Sequence, residues 1–438
     1  MKNSPKILFV NGEPLSNVSA TGITVSNLLK GWPRDSIAQI YTANLPTNLD
    51  GCVFSSRLAA RDLWPFAILG PNSKPNSIVS TNSVVTNPVS VATKRSLRAK
   101  LQYACTPLLD LLPYRLPASL VKQIDEFQPD VIYSLLGNIR ITRLVYDLGR
   151  QLQIPVVPHF MDDWLTTYSV PDKSTGTWFH RIMLNRSVQR LFNHVPLGMA
   201  IGEMMAEEYS RKFGCDFLPF MNPVDSVLNE KRIAHNLSAP LVFVYVGGLH
   251  LRRDEALLDV IHVLSDINRD GVVAELHIYA PKADGEKATQ LAGLSPSVHY
   301  CGSVGAEEVA EILTRCDVAI HVESTEPSIA QYTRFSVSTK IPQYFAGGLP
   351  VLAYGPVVSA SSSYIESSKA GVSIDGGNKS PLHSAVKRLI ADPQWREELG
   401  VAALNVARER HLGERVREAF ARALLLAASS GERSHARA

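Results

Sequence analysis

Short apolar runs alternate with longer stretches of helical period along most of this chain. Residues 6–10 form an apolar run that stops at Asn11-Gly12, and an apolar-periodic stretch from Ile23 to Trp32 follows Thr21-Gly22. The pattern predicts a strand, a glycine loop and a helix. The same grammar recurs at residues 130–134, after a helix ending near Phe127, and at residues 154–160, directly before Asp162. From residue 241 the alternation restarts, with strands expected at 241–246, 275–280, 298–302, 317–322 and 350–354 and helices at 256–267, 306–314 and 340–346. Strands alternating with helices imply parallel sheets.

The pattern breaks around Asn222, Pro223, Val224 and Asp225, and residues 226–238 are polar. We therefore expect two doubly wound domains, 1–223 and 224–412, then a C-terminal helix at 413–428 and a disordered tail at 429–438 that lacks an apolar face. Residues 71–93, rich in Asn, Ser, Thr and Val, read as a mobile excursion from the first domain. Residues 94–122 carry six basic side chains against the single acid Asp110, among leucines spaced to form a helical face. Such a segment suits peripheral contact with an anionic membrane, although packing on the first sheet with solvated charges explains it equally simply.

Composition narrows the class. The chain has 438 residues, more than one core usually holds, and 45% of them are apolar. Its 44 basic residues against 41 acidic ones leave too little net charge for a dedicated nucleic-acid binder. No apolar run reaches the roughly 20 residues of a spanning helix. The five cysteines (Cys52, Cys105, Cys215, Cys301, Cys316) are scattered, which argues against a disulfide framework or a cysteine zinc site. A reducing cytoplasm is the expected setting, with the inner face of the plasma membrane as the place of any membrane contact.

In open α/β sheets ligands bind beyond the carboxyl ends of strands. After the run 241–246 come Gly247 and Gly248, then Arg252 and Arg253. Glycines allow a phosphate close to the backbone, and a guanidinium can hold it bidentately; an ordinary tight turn with solvated arginines is the plain alternative. In the stretch 336–344, Pro342 lacks an amide hydrogen and fits only a first helical turn, which places the helix start near Ser338 or Thr339. Lys340 then sits at the end of the helix dipole where a carboxylate would ordinarily be favoured, and this points to an anion. In the first domain, His159, Asp162, Asp163 and Trp164 follow a strand. Adjacent residues on an extended segment point opposite ways, so one aspartate is expected to face a ligand while the other caps the next helix or pairs with a base. His159 reads equally as a core histidine. Nothing nearby completes a metal site.

The run 298–304 followed by 310–320, the stretch 338–351 and Ala391-Asp392-Pro393 together resemble glycosyltransferases of the two-Rossmann (GT-B) type, specifically family 4, over most of residues 120–412. The resemblance implies two Rossmann-like domains facing across a cleft, a retaining transfer from a nucleotide-diphosphate sugar, and no metal or other cofactor. It implies that Arg253 stands at the family's diphosphate-binding lysine, and that Gly248 occupies a position where many members have arginine. Gln343 falls at the second glutamate of the family's E-x7-E pattern, which binds ribose hydroxyls, and Phe335 replaces the first. Arg252, Arg334 and Lys340 are the compensating cations. Asp162 falls at the acceptor-side histidine, and Thr21 and Gly22 resemble the Gly-rich acceptor loop.

The expected partners are therefore a nucleotide sugar, bound by the second domain, and a glycan or lipid-linked acceptor, bound by the first, in bacterial surface polysaccharide assembly. Gly248 and Gln343 keep a catalytically weak binding subunit open. A nucleotide-sugar epimerase shares the architecture and stays open too.

Overall fold

The computed structural model describes residues 4–16, 20–45, 51–64, 110–167, 175–228 and 240–435. The chain divides into two compact units, Met1–Phe220 together with Arg417–Ala438, and Met221–Val416. The excursion at 71–93 and the basic residues at 94–100 lie outside the described residues.

The first unit is built on a parallel sheet of seven strands. In spatial order they are β3 (Ser55–Arg57), β2 (Ile37–Tyr41), β1 (Ile7–Asn11), β4 (Val131–Ser134), β5 (Val156–Phe160), β6 (Gly198–Ala200) and β7 (Phe217–Pro219). β1, β2, β4, β5 and β6 are buried along their whole length, as a parallel sheet covered on both faces requires. Helices Ala118–Phe127, Ile139–Leu152 and Glu203–Phe213 return the chain between strands. The second of these starts where the Asn138 side chain accepts a hydrogen bond from the Ile141 amide at 2.9 Å, satisfying a donor with no partner inside the helix. At the β7 edge Phe160, Phe192, Phe213 and Phe217 stack, with Tyr209 edge-on to Phe160. Gly198 is required there, because a Cβ would lie 2.4 Å from the Phe217 ring.

The last helix, Gly413–His435, reaches past the expected end at 428, and its apolar face explains why residues 417–438 belong to the first unit. Phe420 is fully buried, edge-on to Tyr133 (5.4 Å), Phe220 (5.4 Å) and Trp32 (6.2 Å). The expected tail is thus helical as far as His435: alanines and leucines upstream carry the turn into the polar residues.

The second unit repeats the arrangement with six parallel strands: β10 (Val298–Tyr300), β9 (Ala274–Tyr279), β8 (Leu241–Val246), β11 (Val318–Val322), β12 (Val351–Gly355) and β13 (Gly371–Asp375). Its main cluster packs Phe243, Leu257, Val260, Ile261, Leu276, Ile278, Ile320, Leu352, Leu382 and Val386. Near the ends of this unit Val224 pairs with Leu412, the Val224 amide donating to the His411 carbonyl at 2.9 Å.

Both sheets share one order, in which the direction of winding reverses between the first and fourth strands of the unit. The reversal falls between β1 and β4 in the first unit and between β8 and β11 in the second. Loops at the carboxyl ends of such neighbours diverge and leave a crevice.

Candidate functional site

The loop after β8 is strained as well as glycine-rich. Leu251 and Arg252 both take left-handed backbone, φ 57° and 56°, which costs a non-glycine residue on the order of 1 kcal/mol or more. The turn is fastened from outside: the Tyr245 hydroxyl donates to the Gly248 carbonyl at 2.7 Å, and the Leu249 amide donates to Asp284 Oδ2 at 2.8 Å. A Cβ on Gly248 would come within 2.5 Å of His250 Nδ1 and 3.2 Å of Asp284 Oδ2, so an arginine there would have to displace His250. Gly247 and Gly248 are half-buried.

Arg253 opens the helix Arg253–Ile267. Its charge acts on four groups around it. Burial pushes the Tyr245 hydroxyl up to about 12, with the Arg253 guanidinium opposing. Burial also raises the Tyr344 hydroxyl, again against Arg253. His250 is pushed down, first by burial and then by Arg253. Glu323, at the end of β11, is 4% exposed; burial opposes its charge, yet His321, Arg253 and Ser359 together hold its carboxyl below the ordinary glutamate range. His321 Nε2 lies 3.1 Å from Glu323 Oε1. Arg252 by contrast is exposed and pairs with Glu255 at 2.7 Å. The His321–Glu323 pair lay beyond the sequence reading, which treated this run only as a strand; its one signal was a His-x-Glu pattern running off a strand end at the winding reversal.

The helix predicted to begin near Ser338 or Thr339 begins at Ile341 instead and ends at Ala346. Pro342 still occupies the first turn, but Lys340 is the capping residue, in right-handed backbone and with no side-chain cap bond. Ser338 holds the preceding turn, its carbonyl accepting from the Ile341 amide at 3.1 Å, while the Thr339 carbonyl lies 3.5 Å from Asn222 Nδ2. One turn along, the Tyr344 hydroxyl meets both the amide (3.1 Å) and the carbonyl (3.3 Å) of Val246, which ties this helix to the end of β8. Lys340 is half-buried, burial lowers its pKa, and no carboxylate pairs with it among the described residues. The Gln343 side-chain oxygen is buried without a hydrogen-bond partner. Arg334 is exposed and stacks 4.8 Å over the Phe335 ring.

In the first unit the expected set separates. His159 is fully buried, its Nδ1 2.6 Å from the Tyr133 hydroxyl, and burial pushes its pKa down to about 3. It sits in the core, as the plainer of its two sequence readings expects, with Nε2 buried and without a hydrogen-bond partner. Asp163 is buried too, accepting from the Tyr209 hydroxyl at 2.7 Å and from Thr166 Oγ1 at 2.9 Å at the start of the short helix Trp164–Thr167. Its Oδ1 is committed to two structural hydroxyls and the side chain is buried, which weighs against its place among catalytic candidates. Asp162 remains half-buried at the strand end. Thr21 and Gly22 lie within the first turn of the helix Ala20–Leu28, and not in the loop after β1, because the helix begins ahead of the glycine. Of the basic segment, Asp110 is buried between Arg140 (2.7 Å) and His180 (3.3 Å), and Lys122 pairs with Glu126 at 3.6 Å on the helix Ala118–Phe127. No helix among the described residues is long and apolar enough to cross a membrane.

Residues 240–392 match the family described as Glycosyl transferases group 1. No curated protein matches the chain. Among solved structures, the fold is similar to Alr3699/HepE from Anabaena, crystallised in complex with UDP, at 14% identity and a TM-score of 0.60, covering 96% of this chain and 99% of that one. It is similar to the sucrose-phosphate synthase of Thermosynechococcus elongatus at 13% identity and a TM-score of 0.60, covering 95% and 98%. WaaG, a glycosyltransferase involved in lipopolysaccharide biosynthesis, gives 13% identity and a TM-score of 0.52, covering 95% and 98%. These likenesses bear out the GT-B architecture.

Proposed function

We propose that this chain, whose residues 240–392 match the family described as Glycosyl transferases group 1 and whose fold is similar to GT-B structures, is a glycosyltransferase that moves a sugar from a nucleoside diphosphate sugar to a glycan or lipid-linked acceptor. The observation that carries this reading is Lys340: a half-buried ammonium with no carboxylate partner among the described residues. A desolvated cation left without a counter-charge is costly, and a bound diphosphate supplies one.

In this reading Arg253 and Lys340 hold the diphosphate and bear the charge that grows on it as the glycosidic bond breaks, with no metal used for that purpose. Arg252 and Arg334 are exposed and add long-range attraction. The absence of side chains at Gly247 and Gly248 allows close approach, and Ser338 and Thr339 shape the turn before Lys340. The unpartnered Gln343 oxygen accepts from a ribose hydroxyl. The acceptor belongs to the first unit, where Asp162 orients it or stabilises oxocarbenium character, the departing diphosphate taking the acceptor proton in a retaining transfer. A place in bacterial surface polysaccharide assembly, at the cytoplasmic face of the membrane, belongs to the same proposal.

Incubating the purified chain with nucleoside diphosphate sugars, uridine forms first, tests it. Slow release of free nucleotide with conversion of the sugar to hydrolysis product is the expected outcome. Recovery of an isomeric sugar on intact nucleotide would make the chain an epimerase, and binding with no turnover would make it a binding subunit.

A further inference from the structure

Glu275, His277 and His299 stand apart from the loops just described. In the parallel register of β9 and β10, His277 faces His299 directly, and Glu275 lies two residues earlier on the strand of His277. Alternation along β9 sends Ala274, Leu276 and Ile278 into the hydrophobic cluster and therefore Glu275 and His277 to the opposite face. There the side chains of Glu275 and His277 are half-buried and that of His299 on β10 is exposed to solvent.

Their polar atoms converge on one point. His277 Nε2 is 3.3 Å from Glu275 Oε2, and His299 Nε2 is 3.8 Å from the same oxygen. The two imidazoles sit edge-to-face, centroids 5.4 Å apart at 81°, and one ligand atom from each of the three residues falls within 4.8 Å of the others. Ligands held at about 2.0–2.1 Å around a tetrahedral ion lie roughly 3.4 Å from one another, so this spacing needs only rotamer adjustment to close on a metal. Two aligned strands fix the three backbones in advance, which lowers the entropy cost of assembling the site.

We propose that Glu275, His277 and His299 form a binding site for a zinc-type divalent ion, with water in the remaining position. Two neutral imidazoles and one carboxylate suit zinc and its borderline neighbours, whereas calcium and magnesium prefer oxygen-only shells. Bound there, the ion clips the three-residue edge strand β10 to β9 on the face that the hydrophobic cluster does not reach. The cysteine spacing gave no hint of it, because the ligands come from two strands that meet only in the folded sheet.

The test uses the full chain freed of metal with a chelator, then titrated with zinc chloride and, separately, cobalt chloride. One strong zinc equivalent should bind, raise the thermal midpoint, and resist competition by magnesium or calcium. Cobalt should give visible d–d bands without a sulfur charge-transfer band. His277→Ala and His299→Ala should each weaken zinc binding by at least ~10-fold and abolish the thermal shift, while Glu275→Gln, which keeps the shape, should weaken it less. Cys301→Ser and His383→Ala should change nothing. Circular dichroism of the metal-free variants separates lost binding from lost folding, and a variant that fails to fold is replaced by His299→Gln. No zinc bound by the parent chain, or zinc retained undiminished in the His277→Ala, His299→Ala double variant, overturns the site.

Discussion

The loop after β5 in the first unit, one strand beyond its winding reversal, and the loops after β8 and β11, which flank the reversal in the second, all lie at the carboxyl ends of parallel strands and are crowded with groups capable of chemistry. They differ in what those groups touch. After β5, His159 is bound to Tyr133 and Asp163 to Tyr209, both inside the aromatic packing of the sheet, which leaves Asp162 half-buried at the surface. In the second unit, Arg253 after β8 acts on Tyr344 and on Glu323 at the end of β11, Lys340 is half-buried with no carboxylate partner among the described residues, and Gln343 presents an unpartnered oxygen. Residues satisfied by the protein hold it together, and residues left unsatisfied at a winding reversal are available to a ligand.

The largest effect that could break this contrast is on pH stability. The folded His159 pKa of about 3 lies below the ordinary histidine value near 6.5, so the unfolded chain binds the extra proton between those limits. Its stabilising share is complete above about pH 6.5 and falls by about 1.4 kcal/mol per pH unit toward about pH 3, roughly 5 kcal/mol in all. Urea midpoints across that range should show the slope, and His159→Gln should flatten it; an unchanged slope would mean that His159 is open to solvent.

Next comes the aspartate pair. Asp163→Ala removes the acceptor of the Thr166 and Tyr209 hydroxyls and strands the buried Tyr209 hydroxyl, so unfolding free energy should drop by roughly 2 to 3 kcal/mol. Asp162→Asn should leave stability within about 0.5 kcal/mol of the parent and lower kcat with little change in donor Kd. Interchanged results would reverse the two roles.

Of similar size, but on binding, Arg253→Ala and Lys340→Ala should each weaken nucleoside diphosphate affinity by roughly 1.5 to 3 kcal/mol in titration calorimetry. Lys340→Ala carries a second, sharper outcome. Removing a desolvated cation without a partner should leave the thermal midpoint of the ligand-free chain unchanged or raised, so a marked fall would reveal a structural lysine. The smallest effect belongs to Gln343: Gln343→Leu should cost about 1 kcal/mol of nucleotide affinity, and Gln343→Glu should preserve or improve it. Normal binding by the leucine variant would make Gln343 an ordinary helix residue.

The apolar period alone determined the strands around residues 7–11, 131–134, 156–160, 241–246, 318–322 and 351–355, since a doubly covered parallel strand is an uninterrupted apolar run wherever it falls. Composition and the 338–351 stretch likewise carried the fold class and the phosphate-side candidates, because glycine, proline and first-turn position are local properties. Helix starts at Ala20, Arg253 and Ile341 moved by one to three residues from the reading, as end turns are set by capping contacts such as that of Ser338 and not by period.

What only the tertiary structure decided is satisfaction. Whether His159 meets Tyr133, Asp163 meets Tyr209, or Glu323 meets His321 and Arg253 depends on which strands become neighbours. Likewise, Glu275, His277 and His299 become one group only because β10 aligns beside β9. Sequence spacing records which residues are near along the chain; burial and pairing, which turn a titratable side chain into a fixture or leave it for a ligand, are made by contacts between residues the chain keeps far apart.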